Sequence, residues 1–326
     1  MRLLITGAAG FIGSHLVAAA ERAGHEVHGI DLLTYAGRSA NLTPEQRGRC
    51  EVGDVCDTDR MLDMLQRVHP DAIIHLAAES HVARSIECRD EFLRTNVGGT
   101  LSLLEAALDW WRSVDMPRDF RLVHVSTDEV YGSLGPDDAP WTEQAPYRPN
   151  NPYAASKAAS DHLVRSYWRT FALPCITTHS SNNYGPRQHP EKLIPTLISR
   201  VREGEPIGLH GNGQHIRDWL HVDDHCEGLL RAAVHGEPGR TYNFGGRCER
   251  SNLQMAHLIH ALIAPLRLPE IRLIADRPGN DARYATDCRL ADLEFAWRPG
   301  PAVGARMAEV VRWYIDNPDY VNDYGR

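Results

Sequence analysis

The segment Gly7-Ala8-Ala9-Gly10-Phe11-Ile12-Gly13 constrains this chain more than any other. It separates an apolar run at 3–6 from a helical pattern at 11–23. Glycines there permit a tight turn and close backbone approach, and the helix N-terminus behind them offers free N–H groups and partial positive charge, which suits a pyrophosphate. A glycine motif alone is a weak signal. Here it has its strand–turn–helix context, and Asp31 follows the next apolar run, 18 residues after Gly13. A carboxylate in that place accepts hydrogen bonds from a ribose 2′-hydroxyl and repels a 2′-phosphate, so the pattern predicts NAD rather than NADP.

The remaining pattern fits such a site. Short apolar runs at 3–6, 27–30, 72–76, 121–126 and 176–179 alternate with helical patterns at 11–23, 59–68, 90–111 and 152–171. Alternation of this kind predicts an α/β fold: a doubly wound parallel sheet covered by helices on both faces. Ligands of such sheets sit beyond the carboxyl ends of the strands. Within 90–111, the residues Val97, Leu101, Leu104, Leu108 and Trp111 form one apolar stripe, expected to pack on the sheet or to support subunit pairing. After about residue 180 Gly and Pro punctuate a less regular pattern. The expected organisation is a dinucleotide domain over 1–180, with returning elements near 219–246, and a smaller substrate-binding domain over 181–326.

At 326 residues the chain can bury a large core without staples. A net charge of −8 with no clustered Lys and Arg argues against nucleic acid as a partner. No apolar run approaches the ~18 residues of a membrane span, and the first residues run straight into a strand pattern rather than a signal peptide. Seven cysteines, an odd number without a CxxC pair, favour a reducing cytosol over a disulfide framework. The spacing of His221 and His225 beside Asp223 and Asp224 supplies no fixed third ligand, so no metal is expected.

Two clusters carry chemistry. Tyr153 and Lys157 are four residues apart on a predicted helix and therefore share a face. A free phenol titrates near ~10, and lowering it by roughly three units takes about 4 kcal/mol of phenolate stabilisation. A neighbouring ammonium and a positive cofactor ring can supply this. Such a pair suits removal of a hydroxyl proton while hydride leaves the same carbon. The second cluster, Thr127-Asp128-Glu129, follows the run at 121–126. Adjacent carboxylates can divide acid and base roles, but both reach one substrate only if the strand has already given way to a turn.

With these residues in view, the chain resembles the extended short-chain dehydrogenase/reductases with a Rossmann-type sheet, and among them the nucleotide-sugar 4,6-dehydratases of the dTDP-glucose 4,6-dehydratase family. The resemblance spans nearly the whole length. It includes the glycine turn, Leu76-Ala77-Ala78-Glu79-Ser80, Ser126 to Gly132, Tyr153/Lys157, Ser181-Asn182-Asn183-Tyr184-Gly185-Pro186, Pro190-Glu191-Lys192-Leu193-Ile194-Pro195, Ile216-Arg217-Asp218-Trp219 and Asp276-Arg277-Pro278-Gly279. Related sugar-nucleotide epimerases share the tyrosine, lysine and glycines but usually lack the Asp-Glu pair.

The resemblance implies NAD-dependent dehydration of an NDP-hexose, dTDP-glucose first, to the 4-keto-6-deoxy sugar. Tyr153 would take the O4 proton, Glu129 the C5 proton, and Asp128 would protonate the departing C6 hydroxyl. Thr127 would hold the O4 hydroxyl, and Lys157 would bind the nicotinamide ribose and tune Tyr153. The cofactor would lie against Gly7, Gly10, Phe11, Ile12 and Gly13, then Asp31, Leu32, Thr34, Asp54 and Val55. Its further contacts would be Leu76, Ala77, Ala78, Ser80, Thr95, Ser126 and Asn183. The sugar nucleotide would meet Ser80, Asn182, Lys192, Leu193, Leu209, His210 and Asn280, with Lys192, Arg217, Asn252 and Arg277 on the diphosphate. A homodimer joined through the helices at 90–111 and 152–171 is also implied.

The chain departs from the family pattern at His210 and Asn280, where Tyr and His are common, and at Ala83 and Arg187, where Asp and Tyr are. These positions leave the nucleotide base open between thymidine, uridine and another. A 4-epimerase or 5,6-dehydratase on the same scaffold is the alternative enzyme. A non-catalytic dinucleotide sensor would have no use for a tuned phenol.

Overall fold

The computed structural model describes residues 1–301 and 303–322; position 302 and the last four residues of the expected second domain lie outside the described residues. Its strands are β1 Arg2–Thr6, β2 Glu26–Asp31, β3 Cys50–Val52, β4 Ala72–His75, β5 Arg121–Thr127, β6 Cys175–Ser180, β7 Asn182–Tyr184, β8 Ile207–His210, β9 Ile216–His221, β10 Thr241–Phe244, β11 Glu249–Ser251 and β12 Ile271–Ile274. Among the described residues, seven form one sheet in the order β10-β6-β5-β4-β1-β2-β3, parallel throughout. The order reverses between β1 and β4. That is the switch point where a doubly wound sheet opens a crevice.

Strand β1 shows why the sheet is buried on both faces. Leu3 and Ile5 join one core cluster with Leu16, Leu229 and Phe244, while Leu4 joins another with Met61, Ile73, Leu104 and Trp110. Successive side chains of a strand point to opposite faces, so helices must cover both sides, and the strand reads as a continuous apolar run. Helix Val222–His235 and β10 come from the second half of the chain and return to this sheet, β10 pairing with β6. A third cluster, including Ile198, Leu209, Met255, Met307 and Tyr314, forms the core of a smaller lobe with the β11-β9-β7 and β12-β8 sheets nearby. Among the described residues no helix is long and apolar enough to cross a membrane.

The expected single helix at 90–111 is corrected. The chain runs through a short helix Arg89–Phe92, a π-helical segment Leu93–Gly99 and an α-helix Thr100–Ser113. A π-turn takes one residue more than an α-turn, so the phase read from Val97 does not carry past Gly99. Leu104, Leu108 and Trp111 are buried, but Leu101 is 40% exposed and Leu103 and Trp110 are buried in addition.

Candidate active site

The glycine turn is built by backbone crowding. Gly7 sits at φ +69°, and a Cβ on it would lie 2.8 Å from the Ala77 nitrogen. A Cβ on Gly13 would lie 2.0 Å from the Gly7 carbonyl oxygen. Helix Phe11–Arg22 follows with Gly10 at its N-cap and no side-chain cap, which leaves its first N–H groups facing the cleft. Asp31, at the end of β2, ties this turn down: its Oδ2 accepts from Ala9 N at 2.9 Å and its Oδ1 from Leu33 N at 2.8 Å. Burial pushes the Asp31 carboxyl up, and these backbone donors oppose it. Each carboxylate oxygen keeps a further lone pair for a ribose hydroxyl. An unencumbered helix N-terminus, two glycines that admit no Cβ and a carboxylate at the end of β2 fit NAD.

All expected cofactor residues line one cleft with a volume of about 320 Å³, and so do Thr127, Asp128, Glu129, Asn182 and Lys192. After β4 the Leu76 and Ala77 nitrogens both donate to Thr6 Oγ1 at 3.1 Å, which turns the chain along the cleft wall. Asp54 accepts from Cys56 N at 2.9 Å and pairs with Arg94. Thr95 reaches the cleft from the π-helical segment.

The two acids stand on a turn, as the chemistry requires. β5 ends at Thr127, whose Oγ1 accepts from Glu129 N at 3.3 Å and caps the 3-10 turn Asp128–Tyr131. Asp128 is buried and its Oδ2 has no hydrogen-bond partner among the described residues. Burial and the Glu129 charge push its carboxyl well above the ordinary range. Burial raises Glu129 too, but Asn151 Nδ2 donates to its Oε2 at 3.1 Å, and Arg217 and Lys192 add positive charge. Both carboxyls are raised, but Asp128 lacks the amide donor that Glu129 has, so their environments differ in the sense that can divide acid from base.

Tyr153 lines the same cleft as this turn, with the Thr127 side chain near enough to favour its phenolate. In the protein alone, burial and the carboxylates of Glu129 and Asp128 push the phenol above its ordinary value, with the Thr127 side chain opposing them. The Lys157 ammonium donates to the Val125 carbonyl at 2.9 Å, and burial lowers it to about 8. A lowered phenol therefore needs positive charge from what binds in the cleft.

The other expected substrate residues divide. Arg217 Nη2 and Arg277 Nη2 both donate to Asn280 Oδ1, at 3.0 and 3.2 Å. The charges of Arg217, Arg277 and Lys192 all reach Glu129, so this cationic group adjoins the acids. Asn252 heads helix Asn252–Ile263 and its nitrogen donates to His215 O at 3.0 Å, beside Asn280. His210 is tied through Nδ1 to the Ala275 carbonyl at 2.8 Å. Alternation along β8 sends the Leu209 side chain into the core of the smaller lobe rather than toward the cleft, with Leu193 packed against the same cluster.

Sequence reasoning missed Asn151, Asn96 and Asp161. The Asn-Pro step before the predicted helix at 152–171 was the available signal for Asn151, an N-cap with proline behind it. Asn96 bridges the Glu79 backbone to Ser156, 60 residues away.

Comparison with known proteins follows the same lines. The family model described as GDP-mannose 4,6 dehydratase matches residues 4–309. A dTDP-glucose 4,6-dehydratase of Xanthomonas campestris is 46% identical over 331 aligned residues, covering 98% of this chain and 94% of that protein. The crystal structure of DesIV, a dTDP-glucose 4,6-dehydratase of Streptomyces venezuelae with NAD bound, matches with a TM-score of 0.92 at 42% identity, over 99% of this chain and 100% of that one. A UDP-glucose 4-epimerase of Thermotoga maritima shares the fold at a TM-score of 0.88 and 25% identity, over 98% of this chain and 100% of that one. With this likeness along nearly its whole length, the chain belongs to the nucleotide-sugar 4,6-dehydratases, a family of extended short-chain dehydrogenase/reductases.

Proposed function

We propose that this protein dehydrates an NDP-hexose, dTDP-glucose first, to the NDP-4-keto-6-deoxyhexose. The observation that carries the reading is the turn after β5: a buried high-pKa Asp128 and an Asn151-supported Glu129, both facing the cleft that Tyr153 shares with the glycine turn. Bound NAD supplies the hydride acceptor that oxidises C4, the donor that later reduces C6, and the ring charge that favours the Tyr153 phenolate. Tyr153 removes the O4 proton, with the Thr127 hydroxyl positioned to hold the same oxygen. The 4-ketone acidifies the C5 proton, and Glu129 takes it. Asp128 gives its proton to the C6 hydroxyl, which leaves as water. Glu129 then returns a proton to C5 and is restored, while Tyr153 holds the O4 proton and Asp128 lacks the one that left in water, so one proton must pass from Tyr153 to Asp128 before the next turnover. Lys192, Arg217 and Arg277 hold the diphosphate, and displacing the Asn280 amide from the two guanidiniums lets phosphate oxygens take its place.

The protein works as a cytoplasmic homodimer in this reading. Seven free cysteines suit a reducing compartment. Exposed Leu101 and Phe171, on helices Thr100–Ser113 and Pro152–Phe171, offer apolar surface for pairing. The test is incubation of the purified protein with dTDP-glucose and UDP-glucose, read by the alkaline absorbance of 4-keto sugars and by mass. Loss of one water from either supports the reading, and the preferred base settles what His210 and Asn280 leave open. Epimerised sugar without loss of water would point to the epimerase alternative.

A further inference from the structure

Behind the active-site turn lies a buried polar cluster that the reaction above does not use. Asp161 is one turn past Lys157 on helix Pro152–Phe171 and is 3% exposed. Its Oδ1 accepts from His124 Nε2 at 3.1 Å, and its Oδ2 accepts from Ser126 Oγ and His179 Nε2, both at 3.0 Å. His179 reaches on to the hydroxyls of Tyr131 at 2.8 Å and Tyr147 at 2.9 Å. Tyr131 in turn donates to Asn243 Oδ1 at 2.9 Å. One carboxylate thus joins the helix to β5 and β6, and through His179 and Tyr131 to β10.

The bonds to β5 are specific in their placement. His124 and Ser126 point to one side of the strand, and Asp161 holds both. Lys157, one turn earlier on the same helix face, donates to the carbonyl of Val125 between them. Three consecutive residues of β5 are therefore gripped by two oppositely charged side chains of one helix. The next three residues are Thr127, Asp128 and Glu129. The same helix carries Tyr153. A shift of ~1 Å between reacting groups is enough to cost ~100-fold in rate.

We propose that Asp161 is a positioning residue: its carboxylate clamps the end of β5 to the helix bearing Tyr153 and Lys157, and it is the negative group one turn from Lys157 on the same helix face. The groups facing Lys157 agree with this. His75 from β4 and His124 from β5 are both held below the ordinary imidazole range by burial, His124 to about 4, and are uncharged near neutral pH. Tyr153, on its own helix, is pushed up and neutral in the protein alone. Among the described residues Asp161 is the charge that raises Lys157 against its burial, and its own carboxyl is held well below the usual range by His124 and His179.

The inference rests on the proposed reaction for its kinetic readout, so a binding readout accompanies it. In the parent, NAD affinity measured by calorimetry on nucleotide-free protein is expected to fall as pH rises through about 8, where Lys157 loses its charge. In Asp161→Asn that fall moves at least one pH unit lower, and kcat at pH 8 drops at least tenfold while KM for the sugar nucleotide stays within threefold. A folded Asp161→Asn protein with the parent's pH dependence of NAD affinity and a kcat within twofold overturns the proposal. If that variant does not fold, a pair at His124 decides. Its Nε2 makes the bond to Asp161, and its Nδ1 has no partner among the described residues. A Gln amide reaches like Nε2 and an Asn amide like Nδ1. His124→Gln is expected to retain kcat within threefold and His124→Asn to lose at least tenfold, whereas equal losses overturn the clamp. A parent protein that binds NAD with the expected pH dependence yet dehydrates no sugar nucleotide would refute the proposed function and leave the Lys157–Asp161 coupling standing.

Discussion

Asn151 donates its amide to Glu129 Oε2 at 3.1 Å while its own Oδ1 accepts from Ala154 N at 2.8 Å, so one side chain both supports the base and caps the helix that carries Tyr153. The two roles separate by substitution. Aspartate caps a helix as well as asparagine does, but it places a second anion beside Glu129 and raises that carboxyl further. Asn151→Asp should keep the helix cap, lose stability only as pH rises and both carboxyls ionise, and shift the acid limb of C5–deuterium exchange to higher pH. Asn151→Ala should lose about 1 kcal/mol of stability with the cap. Equal exchange profiles in the parent and Asn151→Asp would remove Asn151 from the base's support.

Burial and two nearby carboxylates disfavour the Tyr153 phenolate in the protein alone. The ultraviolet difference spectrum between the parent and Tyr153→Phe should therefore show no phenolate near neutral pH without nucleotide. It should show one with oxidised NAD and lose it with the reduced form. A phenolate near neutral pH in nucleotide-free protein would show that the protein groups alone suffice.

Asp128 and Glu129 predict distinct failures. Glu129→Gln should abolish C5 exchange with solvent deuterium, since the base is gone. Asp128→Asn should preserve exchange and slow water loss by 10²–10⁴-fold, the usual range for a general acid. The raised Asp128 carboxyl also bears on stability. A group whose folded pKa lies above its unfolded value stabilises the fold below the unfolded pKa and loses that contribution as pH rises through the folded one. Asp128→Asn should thus be more stable than the parent at alkaline pH, by about 1 kcal/mol, with the advantage shrinking toward pH 4. Denaturant titrations at both pH values check the sign.

A methyl at Gly13 would collide with the Gly7 carbonyl at 2.0 Å. Overpacking of this kind costs ~1–3 kcal/mol, and part of that falls on the turn that receives the pyrophosphate. Gly13→Ala should weaken NAD binding by roughly 5- to 150-fold at little cost to the sheet. Calorimetry with NAD measures it, and unchanged affinity would place the pyrophosphate elsewhere.

The parts of this structure that were legible in the sequence are those encoded locally. Five strands of the large sheet, β1, β2, β4, β5 and β6, carry their own apolar runs, whereas β3 and β10 are short and mixed; the glycine turn carries its own geometry, and Tyr153 and Lys157 share a face through helical periodicity alone. Leu101 and the π-helical segment were not legible, because apolar spacing averages over an inserted residue. Leu209 was assigned to the substrate by resemblance, while the alternation along β8 turns it inward. Asp161 was invisible for a different reason. Its partners His124, Ser126 and His179 lie 18 to 37 residues away on two strands, and only the packed sheet brings them together.

The central claim is that two electrons leave the sugar at C4 and return to the same molecule at C6. The most direct measurement is turnover of dTDP-glucose deuterated at C4, with the label located in the product by NMR. The account predicts deuterium at C6 of the 4-keto-6-deoxy sugar and none in water. Label still at C4, or lost to solvent, would contradict it.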